Sequence, residues 1–242
     1  MLLELASVSK RFGGLTALRR VDLQVAEQSL VGIIGPNGAG KTTLFNVISG
    51  FYSPDGGQVR FDDRDIGGRP AHEIAQLGLC RTFQIVKPFG NLTVLQNVMI
   101  GALTRVGSVA RAREVADEII ELCQLGPFRD VIGKSLPIGL RKRLEVARAL
   151  ATRPKLLLLD EMMAGLNPSE LRAMIDLIRR LHAEGLTLLV IEHIMAVIMP
   201  LSQRVVVLHH GEKIAEGPPA EVSRDRRVIE AYLGEELAVA EA

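Results

Sequence analysis

The sequence predicts an α/β fold built on a mainly parallel sheet covered on both faces. Three observations carry that expectation. Short unbroken apolar runs, such as Leu30 to Ile34 and Leu156 to Leu159, have the length and composition of buried strands. Other stretches carry apolar residues at helical spacing and open on capping residues. The two kinds of segment alternate over much of the 242 residues, as expected when helices pack on a parallel sheet.

In chain order, Leu2 to Val8 and Val21 to Val25 read as the first strands, the second with alternating apolar positions. Leu30 to Ile34 runs straight into a glycine-rich loop. Lys41 to Ser49 contains no breaker and is followed by Gly50, which predicts a helix with a glycine C-cap. Asp55-Gly56-Gly57 is a turn before a short strand, Gln58 to Phe61. The pattern then turns helical from about residue 88 to residue 151. Thr93-Val94-Leu95-Gln96 is a capping box, and Val115, Ile119 and Leu122 stripe a second helix that stops before Gly126-Pro127. Leu156 to Leu159 resumes the α/β pattern. Asn167-Pro168-Ser169-Glu170 opens a helix whose apolar stripe is Leu171, Met174, Ile175, Ile178 and Leu181, ended by Gly185. Thr187 to Ile191 and Arg204 to Leu208 are two more strands, and His209-His210-Gly211-Glu212 reads as a hairpin turn. Residues 1–234 form one domain, and residues 235–242 read as a flexible tail.

Hydrophobic residues make up 48% and charged residues 24%, so a core can form without disulfides or metals. A net charge of +1 gives no global field for nucleic acid. Arg141-Lys142-Arg143 is a local basic cluster, soon followed by Glu145, and reads as a solvated helix face. Cys80 and Cys123 lack CxxC spacing, which argues against a zinc site and for a reducing cytosol. The early acid Glu4 does not suit a signal peptide. Leu186 to Leu201 is interrupted by Glu192 and His193, and a bilayer span needs about 20 apolar residues. Work at a membrane would therefore need another chain for the membrane part.

Gly35-Pro36-Asn37-Gly38-Ala39-Gly40-Lys41-Thr42 fits the phosphate-gripping Walker A loop, with a strand before it and a helix after it. Its glycines let backbone N–H groups close on phosphate oxygens, and the helix points its positive end at them. Lys41 is expected to reach the β and γ phosphates of ATP, and the Thr42 hydroxyl to ligate Mg²⁺. Two acids, Asp160-Glu161, end the run Leu156 to Leu159. Adjacent buried acids are costly unless they have partners or work. They read as Walker B, with Asp160 holding Mg²⁺ through water and Glu161 acting as general base toward the attacking water.

With further segments in the same order, nearly the whole chain resembles an ATP-binding cassette (ABC) ATPase. Phe12 in Lys10-Arg11-Phe12-Gly13-Gly14 matches the aromatic that stacks on adenine. Gln84 in Arg81-Thr82-Phe83-Gln84 matches the Q-loop glutamine, which touches Mg²⁺ and signals to a membrane partner. Leu136-Pro137-Ile138-Gly139-Leu140 stands at the family signature, usually Leu-Ser-Gly-Gly-Gln. Ala164-Gly165-Leu166-Asn167 matches the D-loop, and His193 matches the switch histidine that contacts the γ-phosphate. Thr43, beside Thr42, belongs with the nucleotide-binding set.

The resemblance implies a P-loop NTPase core with an antiparallel β subdomain and an inserted helical subdomain. It also implies ATP hydrolysis, transmembrane permease subunits, an indirect link to a solute-binding protein, and a place on the inner face of the cell membrane. Within the family the chain is most similar to ATPase subunits of branched-chain amino-acid importers. Arg81-Thr82-Phe83-Gln84, Leu92-Thr93-Val94 with Asn97-Val98, Ala164 to Pro168, and Ile229 to Gly234 carry that similarity. Importers of urea and short amides share much of it. Lipid or lipopolysaccharide exporter ATPases, and non-transport ABC ATPases acting on ribosomes or DNA, are the competing readings.

The signature departs from the family pattern. Pro137 replaces a serine and supplies neither hydroxyl nor N–H, Ile138 replaces a glycine, and Leu140 replaces the glutamine. Asn167 stands at the D-loop aspartate. In the family both segments serve the site of a facing cassette. The chain is therefore expected to give a weakened contribution in trans and to pair with a second, different ATPase subunit, a homodimer being the other possibility.

Overall fold

The computed structural model describes residues 1–85 and 87–232. The expected tail, and the last two residues of the Ile229 to Gly234 stretch, lie outside the described residues. The elements in chain order are β1 (Leu3–Phe12), β2 (Leu15–Val25), β3 (Leu30–Ile34), α1 (Lys41–Ile48), β4 (Gly56–Phe61), β5 (Arg64–Asp65) and α2 (Ala71–Leu77). There follow β6 (Leu79–Arg81), α3 (Val94–Leu103), α4 (Val109–Leu122), α5 (Ile138–Ala151), β7 (Leu156–Asp160) and α6 (Pro168–Ala183). The last are β8 (Thr187–Ile191), α7 (Met195–Leu201), β9 (Arg204–His209), β10 (Glu212–Gly217) and α8 (Pro219–Val222). They divide into two compact units: Met1–Ile74 with Thr187 onward, and Ala75–Leu186.

The first unit holds an antiparallel sheet of order β2-β1-β4-β5. Leu3 pairs with both Val25 and Phe61, and Leu5 with both Leu23 and Val59, so these six side chains share one buried face. β1 and β2 run further than their alternation suggests. Gly13, at φ +57, turns the chain so that Phe12 pairs with Leu15, and these outer ends carry no buried face to betray them. In the same unit β3 lies between β8 and β9, parallel to both, and β10 pairs antiparallel with β9. β3 and β8 are buried throughout, which is why β3 reads as an unbroken apolar run. α1 ends as expected: Gly50 takes φ +76, its N–H donates to Val47 O, and the Phe51 N–H donates to Asn46 O. His210 and Gly211 both take positive φ between the paired His209 and Glu212, a two-residue turn that suits a tight hairpin.

In the second unit β6 and β7 pair in parallel, and α3, α4 and α5 pack on one another. The helical run expected over 88–151 is carried by these three helices. On α4 the buried face is Ala112, Val115, Ala116 and Ile120, whereas Ile119 and Leu122 are only half-buried. The stripe is rotated because the alanines, which count for little in an apolar pattern, let α4 pack closely. At Gly101 of α3 an added Cβ would lie 3.1 Å from Ala151 Cβ, so α3 and α5 also pack tightly. α6 buries Met174, Leu177, Ile178 and Leu181, with Leu171 and Ile175 half-buried. Both expected capping boxes form, Thr93 with Gln96 and Asn167 with Glu170. No helix among the described residues is long and apolar enough to cross a membrane.

Candidate nucleotide site

In the first unit β3 delivers the chain into the Gly35 to Thr42 loop, and α1 begins at Lys41. The loop curls because Gly38 and Gly40 take φ +73 and +101. At Gly40 an added Cβ would lie 2.6 Å from Ala17 O, and at Gly35 it would collide with Leu208 O. Lys41 is 7% exposed and donates from Nζ to Gly35 O (2.5 Å) and Pro36 O (2.7 Å), so its ammonium sits inside the curve of the loop. No acid occupies the first turn of α1, which leaves its positive end uncompensated by side-chain charge there. Pro36 and Ala39 are buried, while Asn37, Gly38 and Thr42 face outward and Thr43 is half-buried. The Gly211 N–H donates to Ala39 O at 3.0 Å, so the β9–β10 turn braces the loop. Sequence reading saw Gly211 only as a turn residue.

Phe12, at the end of β1, is 41% exposed. Tyr52 meets it edge-on at 5.1 Å between ring centroids, and Lys10 Nζ lies 5.5 Å from the Phe12 centroid. The exposed ring leaves apolar surface on which another flat ring could stack. Tyr52 had no sequence signal. His193 is exposed two residues beyond β8, and the phosphate loop leaves β3 beside it, so both start from the carboxyl ends of neighbouring parallel strands.

In the second unit Asp160 is the last residue of β7 and is 2% exposed. Arg81, the last residue of β6, donates Nη2 to Asp160 Oδ2 at 2.7 Å, with both side chains buried. Asp160 Oδ1 is buried and has no hydrogen-bond partner among the described residues. A buried carboxylate oxygen without a donor is costly. It fits a ligand for a small hard cation, which commonly takes one or two carboxylates together with substrate phosphates. Glu161 follows at φ +48, a left-handed conformation that costs of order 1–3 kcal/mol in a residue with a Cβ. Gln84 is exposed and donates Nε2 to Glu161 Oε2 at 2.6 Å. The two residues expected in catalysis and signalling are thus in direct contact, a pairing that sequence order could not show.

α5 begins at Ile138, and Pro137 is its exposed N-cap with no side-chain cap bond. Leu136 and Gly139 are buried, Ile138 is exposed and Leu140 half-buried. At Gly139 a Cβ would lie 2.5 Å from Glu170 Oε1, so a larger residue there would displace that side chain. In the D-loop segment Gly165 takes φ +73. Asn167 Oδ1 accepts from the Ser169 and Glu170 N–H groups at 3.0 Å each, and its own N–H donates to Glu170 Oε2 at 3.1 Å. The Arg141-Lys142-Arg143 cluster is not the solvated face its charge suggests. Arg141 donates to Leu136 O (2.6 Å) and Lys134 O (2.9 Å). Lys142, 4% exposed, donates to Ala164 O at 2.5 Å and Glu161 O at 3.3 Å. Arg143 donates to Gln124 Oε1 at 3.2 Å. Long cationic side chains can turn inward when backbone carbonyls fill their donors.

Comparison with known proteins bears on these two sets of residues. The ABC transporter family matches residues 18–164, and the branched-chain amino acid ATP-binding cassette transporter family matches residues 212–238. The high-affinity branched-chain amino acid transport ATP-binding protein BraF of Pseudomonas aeruginosa is 40% identical over 250 residues, spanning 97% of this chain and 98% of its own. The lipopolysaccharide export system ATP-binding protein LptB of Acidithiobacillus ferridurans is 35% identical over 238 residues, spanning 98% and 99%. Among solved structures, the ADP conformation of an ATP-binding cassette of an ABC transporter is 34% identical with a TM-score of 0.87, over 96% of this chain and 98% of that one.

Proposed function

Because this chain belongs to the ABC transporter family, we propose that it is the ATP-hydrolysing subunit of a membrane importer for branched-chain amino acids. The observation that carries the ATPase reading is the buried Lys41 ammonium inside a glycine-curled loop at a helix start. Importer status is supported by the branched-chain match at residues 212–238 together with 40% identity to BraF. LptB, at 35%, keeps lipopolysaccharide export as the competing reading. Urea or a short amide as cargo would leave the chemistry unchanged.

In the proposed reaction residues 1–234 act as one cassette. Phe12 stacks on adenine. The backbone of Gly35 to Gly40 and the Lys41 ammonium hold the phosphates, with Thr43 beside them. Thr42, Gln84 and, through water, Asp160 would hold Mg²⁺, which would supply neutralisation of charge on the phosphate oxygens. Glu161 takes a proton from the attacking water as its oxygen bonds to the γ-phosphorus and the bond to the β-phosphate oxygen breaks. His193 donates a hydrogen bond to a γ-phosphate oxygen. Leu136 to Leu140 and Ala164 to Asn167 face a second ATPase subunit. Permease subunits carry the motion through the membrane from its cytoplasmic face, and a solute-binding protein supplies the cargo to them.

Glu161→Gln tests the centre of this scheme. It removes the base while keeping the shape of the pocket, so it should retain ATP binding, accumulate an ATP-bound dimer and lose about 10²–10⁴-fold in turnover. Full turnover by that variant would overturn the assignment. ATP-dependent leucine uptake by vesicles carrying the permease and this chain tests the importer reading. Lipopolysaccharide-stimulated turnover without leucine uptake would replace it with export.

A further inference from the structure

We propose that Lys142 is a positioning residue for hydrolysis. Its buried ammonium holds the backbone of Glu161 and of Ala164 against the first turns of α5, the helix that opens at the signature segment. The inference rests on the assignment of Glu161 as general base.

Lys142 is buried beside the unit's two functional turns, where a leucine or methionine would fill space without the cost of removing an ammonium from water. What the lysine adds is a set of donors aimed at two particular carbonyls, 2.5 Å away at Ala164 and 3.3 Å away at Glu161. Those carbonyls flank a short connection with unusual backbone, Glu161 at φ +48 and Gly165 at φ +73. A left-handed residue with a side chain persists only where its surroundings over-determine it, and a bond to its own carbonyl is such a constraint. The cap of α6 is packed close to the same helix. Glu170, which caps α6 through the Asn167 N–H, lies against Gly139 in the first turn of α5. The base and the loop after it are therefore fastened to α5 through Lys142. The phosphate loop is built from other residues, with its own lysine. Loss of the Lys142 ammonium should disturb the orientation of the base and leave nucleotide grip alone.

The test uses the assembled transporter, with Lys142→Met, Lys142→Arg and Glu161→Gln in parallel. Misplacement by about 1 Å costs on the order of 10²-fold in rate. Lys142→Met should therefore lower kcat by about 10- to 100-fold while the KM for ATP stays within about threefold. Lys142→Arg keeps donors for both carbonyls and should restore kcat to within about threefold of the parent. Amide hydrogen exchange over residues 161–167 should quicken in Lys142→Met and not in Lys142→Arg, with residues 35–48 unchanged. Should Lys142→Met not fold, Lys142→Leu, which also lacks donors, is read in the same way. Near-parental kcat in the neutral variant overturns the proposal, as does Arg failing to rescue or KM rising in step with the loss of kcat. Turnover retained in Glu161→Gln overturns the base assignment instead, and the exchange data still report whether Lys142 holds the segment.

Discussion

At Lys41 the cost of burying an ammonium is offset by two carbonyls of the loop it serves, Gly35 O and Pro36 O. That arrangement presents the charge before the phosphate arrives. Lys41→Ala should therefore weaken ATP binding by about 1.5–3 kcal/mol, the range for a charge-assisted hydrogen bond, which titration calorimetry would detect as a roughly 10- to 150-fold rise in Kd. The nucleotide-binding fluorescence of Glu161→Gln should by contrast stay near parental. A second single-residue effect concerns stability. Burial of Cys123 pushes its thiol from 9.0 up to about 12. Above pH 9 the unfolded chain releases this proton and the folded chain keeps it, so stability is full below pH 9 and falls as pH rises toward 12. At pH 10 the loss from this group is of order 1 kcal/mol. Urea midpoints at pH 8 and pH 10 should show that drop, and Cys123→Ala should shrink it; an equal drop in the variant would refute the effect. Lys41, Asp160 and Glu161 were legible in the sequence because their chemistry is tied to a local pattern. Arg81 and Lys142 were not, since a charged residue is read as surface until its partner, 79 or 22 positions away, is known. Asn97 was read only as part of a family likeness, without its structural role. It is fully buried and bonds both the N–H and the carbonyl of Phe89, as well as Leu92 O and Thr93 O.

The N-terminus of α6 shows a short pattern deciding an element by itself. Asn167, Pro168 and Glu170 satisfy the first orphan N–H groups in the way the sequence suggests. Asn167→Ala should cost about 1 kcal/mol, measured as a lower urea midpoint at unchanged slope. The β9–β10 hairpin couples an element to the site. Gly211 has φ +80, a Cβ there would lie 2.8 Å from Ala17 O, and its N–H holds Ala39 of the phosphate loop. Gly211→Ala should both lower the melting temperature and raise the KM for ATP several-fold; an unchanged KM would show that the brace is dispensable. Elements were legible where burial is two-sided or capping is local. β3 and β8 matched residue for residue because both are buried along their whole length and almost wholly apolar. β6 has three residues, too few to show a period, and α7 carries Pro200 inside it, which reads as a stop. The face of α4 was misjudged by a fraction of a turn because its close contacts are alanines.

For the molecule as a whole, the residues with which this chain would serve its own nucleotide are present, and the departures fall where it would serve a partner. Pro137 is exposed at the head of α5 without an N–H or a hydroxyl to offer. Asn167 has its side-chain oxygen committed to the α6 cap. A missing charge-assisted donor costs about 1.5–3 kcal/mol, which is roughly 10- to 150-fold in rate if the interaction forms mainly in the transition state. A dimer of two identical copies would carry that loss at both sites. A pair in which a second ATPase subunit supplies a serine at this position would carry it at only one. The isolated chain should therefore hydrolyse ATP at least about sixfold more slowly than the reconstituted pair. Pro137→Ser should raise the isolated chain toward the pair, because it returns both the hydroxyl and the N–H. Steady-state phosphate release from the chain alone, the variant alone and the pair decides the matter. A chain that forms ATP-dependent homodimers and turns over as fast as any pair, with Pro137→Ser making no difference, would mean that the backbone of Ile138 and Gly139 at the positive end of α5 already supplies what the serine gives elsewhere.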